Sequence, residues 1–132
     1  MLTENDPEFV SVATALYNNA RVLMDENRWS EAAECLERSS EITPHHKTLE
    51  LLGECRLNLQ QYLIAVVPLA ASTTLNAGVR APALLSQALL LAGWTQDAKR
   101  AAELALQRDP NNRMAKKTIE QVMKIIEGDG NL

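Results

Sequence analysis

Cysteine is nearly absent, glycine-rich loops and basic stripes are missing, and no apolar run is long; each shortage removes a class of protein. Two cysteines cannot build a disulfide framework. Cys35 and Cys55 fall inside helical patterns, where reduced, buried thiols are expected. A net charge of −4 with no basic stripe leaves nothing to neutralise phosphates, so nucleic acid is not an expected partner. The longest apolar stretch is broken by Pro68 and by polar residues within a few positions, too soon to span a bilayer. The start, MLTENDPEF, is acidic and lacks the basic-then-apolar layout of a signal peptide, which makes the cytoplasm the expected location. There is no glycine-rich phosphate loop, nucleophile elbow or Cys–His pair with an orienting partner, so neither catalysis nor a cofactor is expected. The adjacent His45 and His46 follow Pro44 in a turn, project differently and have no Cys, Asp or Glu at ligand spacing. They read as solvated, and no metal site is expected.

What the chain does contain is a period. Ala32, Ala65 and Ala98 are spaced by 33 residues, and their surroundings recur at the same step. Leu16, Leu49 and Pro82 open the columns, followed by Asn19, Leu52 and Leu85 and by the small residues Ala20, Gly53 and Ser86. Leu23, Arg56 and Leu89 come next, then Trp29, Tyr62 and Thr95 ahead of the alanines. Past the alanines lie Leu36, Leu69 and Ala102, a second small column of Ser39, Ser72 and Ala105, and closing positions at Pro44, Ala77 and Pro110. Steps of three and four within each half are the helical period, so each unit is two short amphipathic helices, A and B, joined by a tight turn. Small columns mark where helices cross closely.

The pattern resembles the tetratricopeptide repeat, W-x2-L-G-x2-Y, then A-x3-F, then P. Leu49, Leu52 and Gly53 carry its L-x2-L-G, and Ala32/Leu36 and Ala65/Leu69 carry A-x3-L; the third copy reads GWTQDAKRAAELALQRDPNN. The resemblance covers residues 13 to 112. It implies an all-α, right-handed superhelical stack of helix-turn-helix repeats: one domain over 1–127, with repeats at about 13–45, 46–78 and 79–111. The family's usual period is 34, and the missing residue falls in the turn between repeats, from Pro44 to Leu49 and from Ala77 to Pro82. Ankyrin repeats share the period of 33, but their T-P-L-H motif is only caricatured at Thr43-Pro44-His45-His46 and does not recur.

Seven helices are expected. The first takes Asp6 as N-cap and Pro7 as its first residue and runs to about Glu26. Ser30 caps a B helix ending near Ile42, and the next pair covers about His46–Leu59 and Tyr62–Leu75, with Pro68 bending the latter. Pro82 is tolerated in the first turn of the fifth helix, and the sixth runs from Thr95 to Arg108. A seventh, about 112–127, is a cap stopped by Gly128, with 128–132 a frayed tail. Its inward stripe is Ala115, Ile119, Val122 and Ile126, while Arg113, Lys116, Lys117, Glu120 and Gln121 face water. Met123 and Ile125 lie off the stripe and either cover the preceding pair or offer a homodimer contact.

The resemblance places function on the A helices, which line the concave face of such stacks. Its groove positions are Thr14, Tyr17, Asn18, Arg21 and Met24, then Lys47, Glu50, Leu51, Glu54 and Leu57, then Arg80, Ala83, Leu84, Gln87 and Leu90. Leu51 and Leu84 are expected to form an apolar strip on the groove floor, with ordinary interhelix packing as the alternative. Met24, Leu57 and Leu90 pack between A helices, and Tyr17 and Arg21 are residue types that dominate binding energy. Glu50 and Glu54 share a face and are relieved by Lys47 or Arg80. In family members that hold chaperone C-terminal carboxylates, a clamp of lysines, asparagines and an arginine occupies the places of Tyr17, Arg21, Leu51, Arg80 and Leu84. No clamp asparagine survives here, so that specialisation is not expected, though Arg21 or Arg80 could pair with one acidic ligand group. The resemblance thus implies a protein–protein interaction module: an adaptor, assembly factor or small chaperone holding a peptide or helix in the groove. A dedicated secretion-type chaperone is the alternative among binding proteins, and a self-associating scaffold using the terminal helices is the structural one.

Overall fold

The structure is a computed structural model that describes residues 7–130, with side chains over 7–128. The expected cap at Asp6 lies outside the described residues. Seven helices and no strand are described: α1 Pro7–Asp25, α2 Trp29–Ile42, α3 His46–Asn58, α4 Tyr62–Leu75, α5 Arg80–Leu91, α6 Thr95–Arg108 and α7 Arg113–Gly130. Each helix packs on its neighbour in sequence, and α5 also touches α3 and α7, so the odd-numbered A helices line up along one side.

The turn inside each repeat has one geometry, used three times. Asn27, Gln60 and Gly93, again 33 apart, enter the left-handed region at φ 59°, 61° and 88°. The next N–H in each case, from Arg28, Gln61 and Trp94, then reaches back to the carbonyls of Leu23, Arg56 and Leu89 at 2.8–2.9 Å. This is the Schellman closure of an A helix. It also corrects the expected cap at Ser30: Arg28 precedes the first helical residue of α2 and makes no side-chain cap, so Ser30 already lies within the first turn.

Ala32, Ala65 and Ala98 are fully buried, as are Leu36 and Leu69 one turn on. At Gly53 a Cβ would stand 2.3 Å from Leu69 Cγ, so the small column is a geometric demand of the α3–α4 crossing. The second small column does more than make room. Ser39 Oγ donates to the Ala13 carbonyl at 2.8 Å and Ser72 Oγ to the His46 carbonyl at 2.7 Å, tying α2 and α4 each to the A helix of its own repeat.

Three further expectations change. Helix α7 runs through Gly128 to Gly130, because that glycine keeps a helical rather than left-handed backbone; it meets no neighbouring side chain. Its buried stripe is Ala115, Thr118 and Val122, whereas Ile126, expected to face inward, is exposed along with Met123 and Ile125. At 18 residues α7 outruns the 12-residue α5 beside it, and its last turns have nothing to lie on. The histidines do not project apart: their rings stack with centroids 4.4 Å apart, and His45 Nδ1 accepts the Lys47 N–H at 3.1 Å as the N-cap of α3.

Candidate functional site

The A helices bring Tyr17, Asn18 and Arg21 of α1, Lys47, Glu50, Leu51 and Glu54 of α3, and Arg80, Leu84 and Gln87 of α5 to the same side of the stack. They do not form the expected surface. Leu51 is only 7% exposed and packs with Ala20, Leu23 and Leu36 of the first repeat. Leu84, 4% exposed, packs with Ala65, Leu69 and Ala88. Each A helix leans on the preceding helix pair, and a leucine at this register fills that seam rather than the groove floor. No apolar strip exists there. Met24, Leu57 and Leu90 are half-buried against the core, and Asn18, Arg21 and Gln87 are open to solvent.

Charge is organised around Arg80. Its Nη1 lies 2.9 Å from Glu50 Oε2 and its Nη2 2.8 Å from Glu54 Oε1, while Lys47 Nζ approaches Glu50 Oε2 at 2.7 Å. Burial works against the Arg80 charge, but the hydrogen bonds it donates to Glu54 and Glu50, with their negative charges, outweigh it and push its pKa up. Glu50 is the most buried member, with a side chain 10% exposed, and tolerates burial because two cations share one of its oxygens. The relief expected for the Glu50–Glu54 pair is therefore supplied by both cations. Arg80 is consequently spoken for; Arg21 makes no ion pair among the described residues.

Two clefts flank this ion chain. The first, about 390 Å³, is walled by Val10, Ala13, Thr14 and Tyr17 of α1, Ser39 and Thr43 at the end of α2, and His45, Lys47 and Thr48 at the start of α3. Its walls are mostly apolar; the Thr43 hydroxyl, shut off from the surface, has no hydrogen-bond partner among the described residues. The second, about 420 Å³, lies between α3 and α5 and is lined by Glu54, Leu57, Asn58, Tyr62, Arg80, Leu84, Gln87 and Met114, among others. Lys47 belongs to the wall of the first cleft and Arg80 to that of the second, so the ion chain divides them. Tyr17 and Lys47 were legible as site residues in the sequence. Thr43, His45 and Thr48 were not, because they sit in or beside the inter-repeat turn, where the repeat pattern assigns only a break. Met114 comes from the cap, outside the repeats altogether.

The Cys55 thiol faces neither cleft; burial, helped by Glu54, pushes its pKa up to about 12, which keeps it protonated and unreactive. No described helix is long and apolar enough to cross a membrane.

No protein-family model matches the chain, and no curated protein does. Solved structures do. The first tetratricopeptide-repeat domain of Spaghetti, bound to the HSP90 peptide SRMEEVD, superposes with a TM-score of 0.84 at 17% identity, over 89% of this chain and 94% of that one. The tetratricopeptide-repeat domain of Sgt2 from Aspergillus fumigatus gives 0.84 at 18% identity, over 96% and 84%. The Yersinia enterocolitica type III secretion chaperone SycD, in complex with a peptide of the translocator YopD, gives 0.71 at 20% identity, over 87% and 89%. The chain has the tetratricopeptide-repeat fold.

Proposed function

We propose that this chain is a protein-interaction module, an adaptor, assembly factor or small chaperone, that binds a segment of a partner protein along its A helices. Its role is recognition rather than catalysis. The observation that carries the reading is the first cleft, an apolar recess walled by Val10, Ala13 and Tyr17. It suits an apolar side chain of the partner. Tyr17 at its wall and the exposed Asn18, Arg21 and Gln87 extend the contact along the face. The division by Lys47, Glu50, Glu54 and Arg80 favours a ligand that places apolar groups on either side of a polar centre.

An acidic tail such as the SRMEEVD held by the Spaghetti domain is the less suited ligand. Leu51 and Leu84 stand packed at clamp positions, and the Arg80 guanidinium already holds two carboxylates. Selection from a displayed peptide library tests the proposal. Enriched peptides should share an apolar anchor, and Thr14→Trp, which fills the first cleft from an exposed position, should weaken them at least tenfold with the melting point unchanged. Enriched peptides that bind Thr14→Trp as well as wild type would sink the reading.

A further inference from the structure

The repeat supplies its own control for the surface opposite the groove. On the outer side of α4, Leu63, Ile64, Val67 and Leu75 are 54%, 57%, 72% and 60% exposed. At the same register, 33 residues away, the first repeat carries Ser30, Glu31, Glu34 and Ile42, and the third carries Gln96, Asp97, Arg100 and Arg108. The two positions at the centre of the face, 64 and 67, are charged in both flanking repeats and aliphatic only in the middle one. No charged residue occurs from Leu57 to Val79. Folding does not ask for this, since the flanking copies show that charge is compatible with the position.

We propose that this outer face of α4, centred on Val67, is the surface through which two copies of the chain pair about a twofold axis. Its shape suits a second copy. Val67 protrudes, and beside it lies a cleft of about 420 Å³ between α2, α3 and α4, walled by Leu52, Leu63, Ile64, Val67 and Pro68 and rimmed by the Glu37–Arg56 ion pair. A twofold axis passing between a knob and a neighbouring hole sets each copy's knob opposite the other's hole, so the same patch serves both sides of the contact. The charge suits it too. Each chain carries a net −4, and the uncharged segment is where two such chains meet without like charges at the centre. The four side chains offer on the order of 100 Å² each. Paired, with their rims, two faces remove on the order of 1,000 Å² from water, the low end for a specific contact, which points to a dimer of about micromolar affinity.

Sedimentation of the full chain between about 1 and 100 µM tests this. Wild type should pass from monomer to dimer across that range. Ile64→Glu with Val67→Glu, which copies what the first repeat carries, should raise the dissociation constant at least a hundredfold while circular dichroism and melting point hold; Val67→Lys alone is the second variant should the pair fail to fold. Met123→Lys with Ile125→Lys, on the exposed edge of α7, should leave the dimer intact, as should Thr14→Trp in the first cleft. A wild type that stays monomeric at about 100 µM overturns the proposal and leaves the face to an amphipathic helix of another protein. A dimer broken by the α7 variant but not by Val67→Lys or the paired glutamates overturns it equally.

Discussion

Arg80 illustrates how one side chain can be read correctly by type and differently by role. A groove arginine suggests an acidic ligand, yet here it bridges two glutamates of the preceding repeat and joins α5 to α3. Removing it strands the buried Glu50 with Lys47 alone. Because Arg80 itself is 43% exposed, the loss is discounted for solvent screening. Arg80→Ala should cost about 1–2 kcal/mol in chemical denaturation, and Glu50→Gln added to it should cost little more, a coupling that a double-mutant cycle measures. Additive costs would mean the pair is only a surface contact. Gly53 poses the opposite problem, space rather than charge. A methyl there overlaps the side chain of Leu69, which is itself fully buried. Gly53→Ala should therefore lose about 1–3 kcal/mol through overpacking, despite alanine's better helix propensity.

At the scale of elements, the turn within each repeat and the turn between repeats are built by different means. Within a repeat, a left-handed residue closes the A helix, and only the third copy uses glycine for it. A Cβ at Gly93 would meet nothing within 4 Å, so Gly93→Ala isolates backbone strain and should cost about 1 kcal/mol. Gln60→Gly, at φ 61°, should stabilise by a smaller amount, since added freedom in the unfolded chain offsets part of the relief. Paired thermal melts read both signs, and equal effects of one sign would contradict the turn geometry. Between repeats, side chains hold the turn. Arg108 donates to the carbonyls of Thr73, Asn76 and Gly78, clasping the α4–α5 connection from the next repeat. These bonds organise the α4–α5 connection, one of the two in which the repeat spacing lacks a residue.

The whole molecule is a row of helix pairs in which most contacts run between neighbours, so its ends need covering. Helix α7 covers one end. Ala115 joins the cluster of Ala83, Ala102 and Ala105, and Val122 joins that of Leu89, Ala98 and Ala101. Ending the chain at Asn112 uncovers both clusters and should cost at least about 3 kcal/mol, lowering the melting point by more than about 10 °C. A truncated chain that melts within a few degrees of the full one would show that α7 merely rides on the stack. Two faces of the row remain available: the A-helix side with its two clefts, and the outer face of α4. The first is proposed to hold a partner's segment and the second a second copy, so one protein could present two grooves at once and gain avidity for a repeated ligand.

The sequence by itself determined the unit: a recurrence of 33 residues, two helices in each, and small residues, Gly53 among them, where helices cross closely. These are local patterns repeated three times, and repetition turns weak helical signals into a register. Most helix bounds followed from that register, and the misses at Ser30 and Gly128 came from reading caps by residue type where backbone geometry governed. The candidate site was legible only as a face. Tertiary structure decided which of its residues are available, because the lean of each repeat on its predecessor is not written in any single period. That lean buried Leu51 and Leu84, brought Arg80 between two glutamates of the neighbouring repeat, and set Thr43 in the wall of the first cleft. It also decided that the aliphatic side chains on the outer face of α4 stay exposed among the described residues, since helices α3 and α5 pack on its other side.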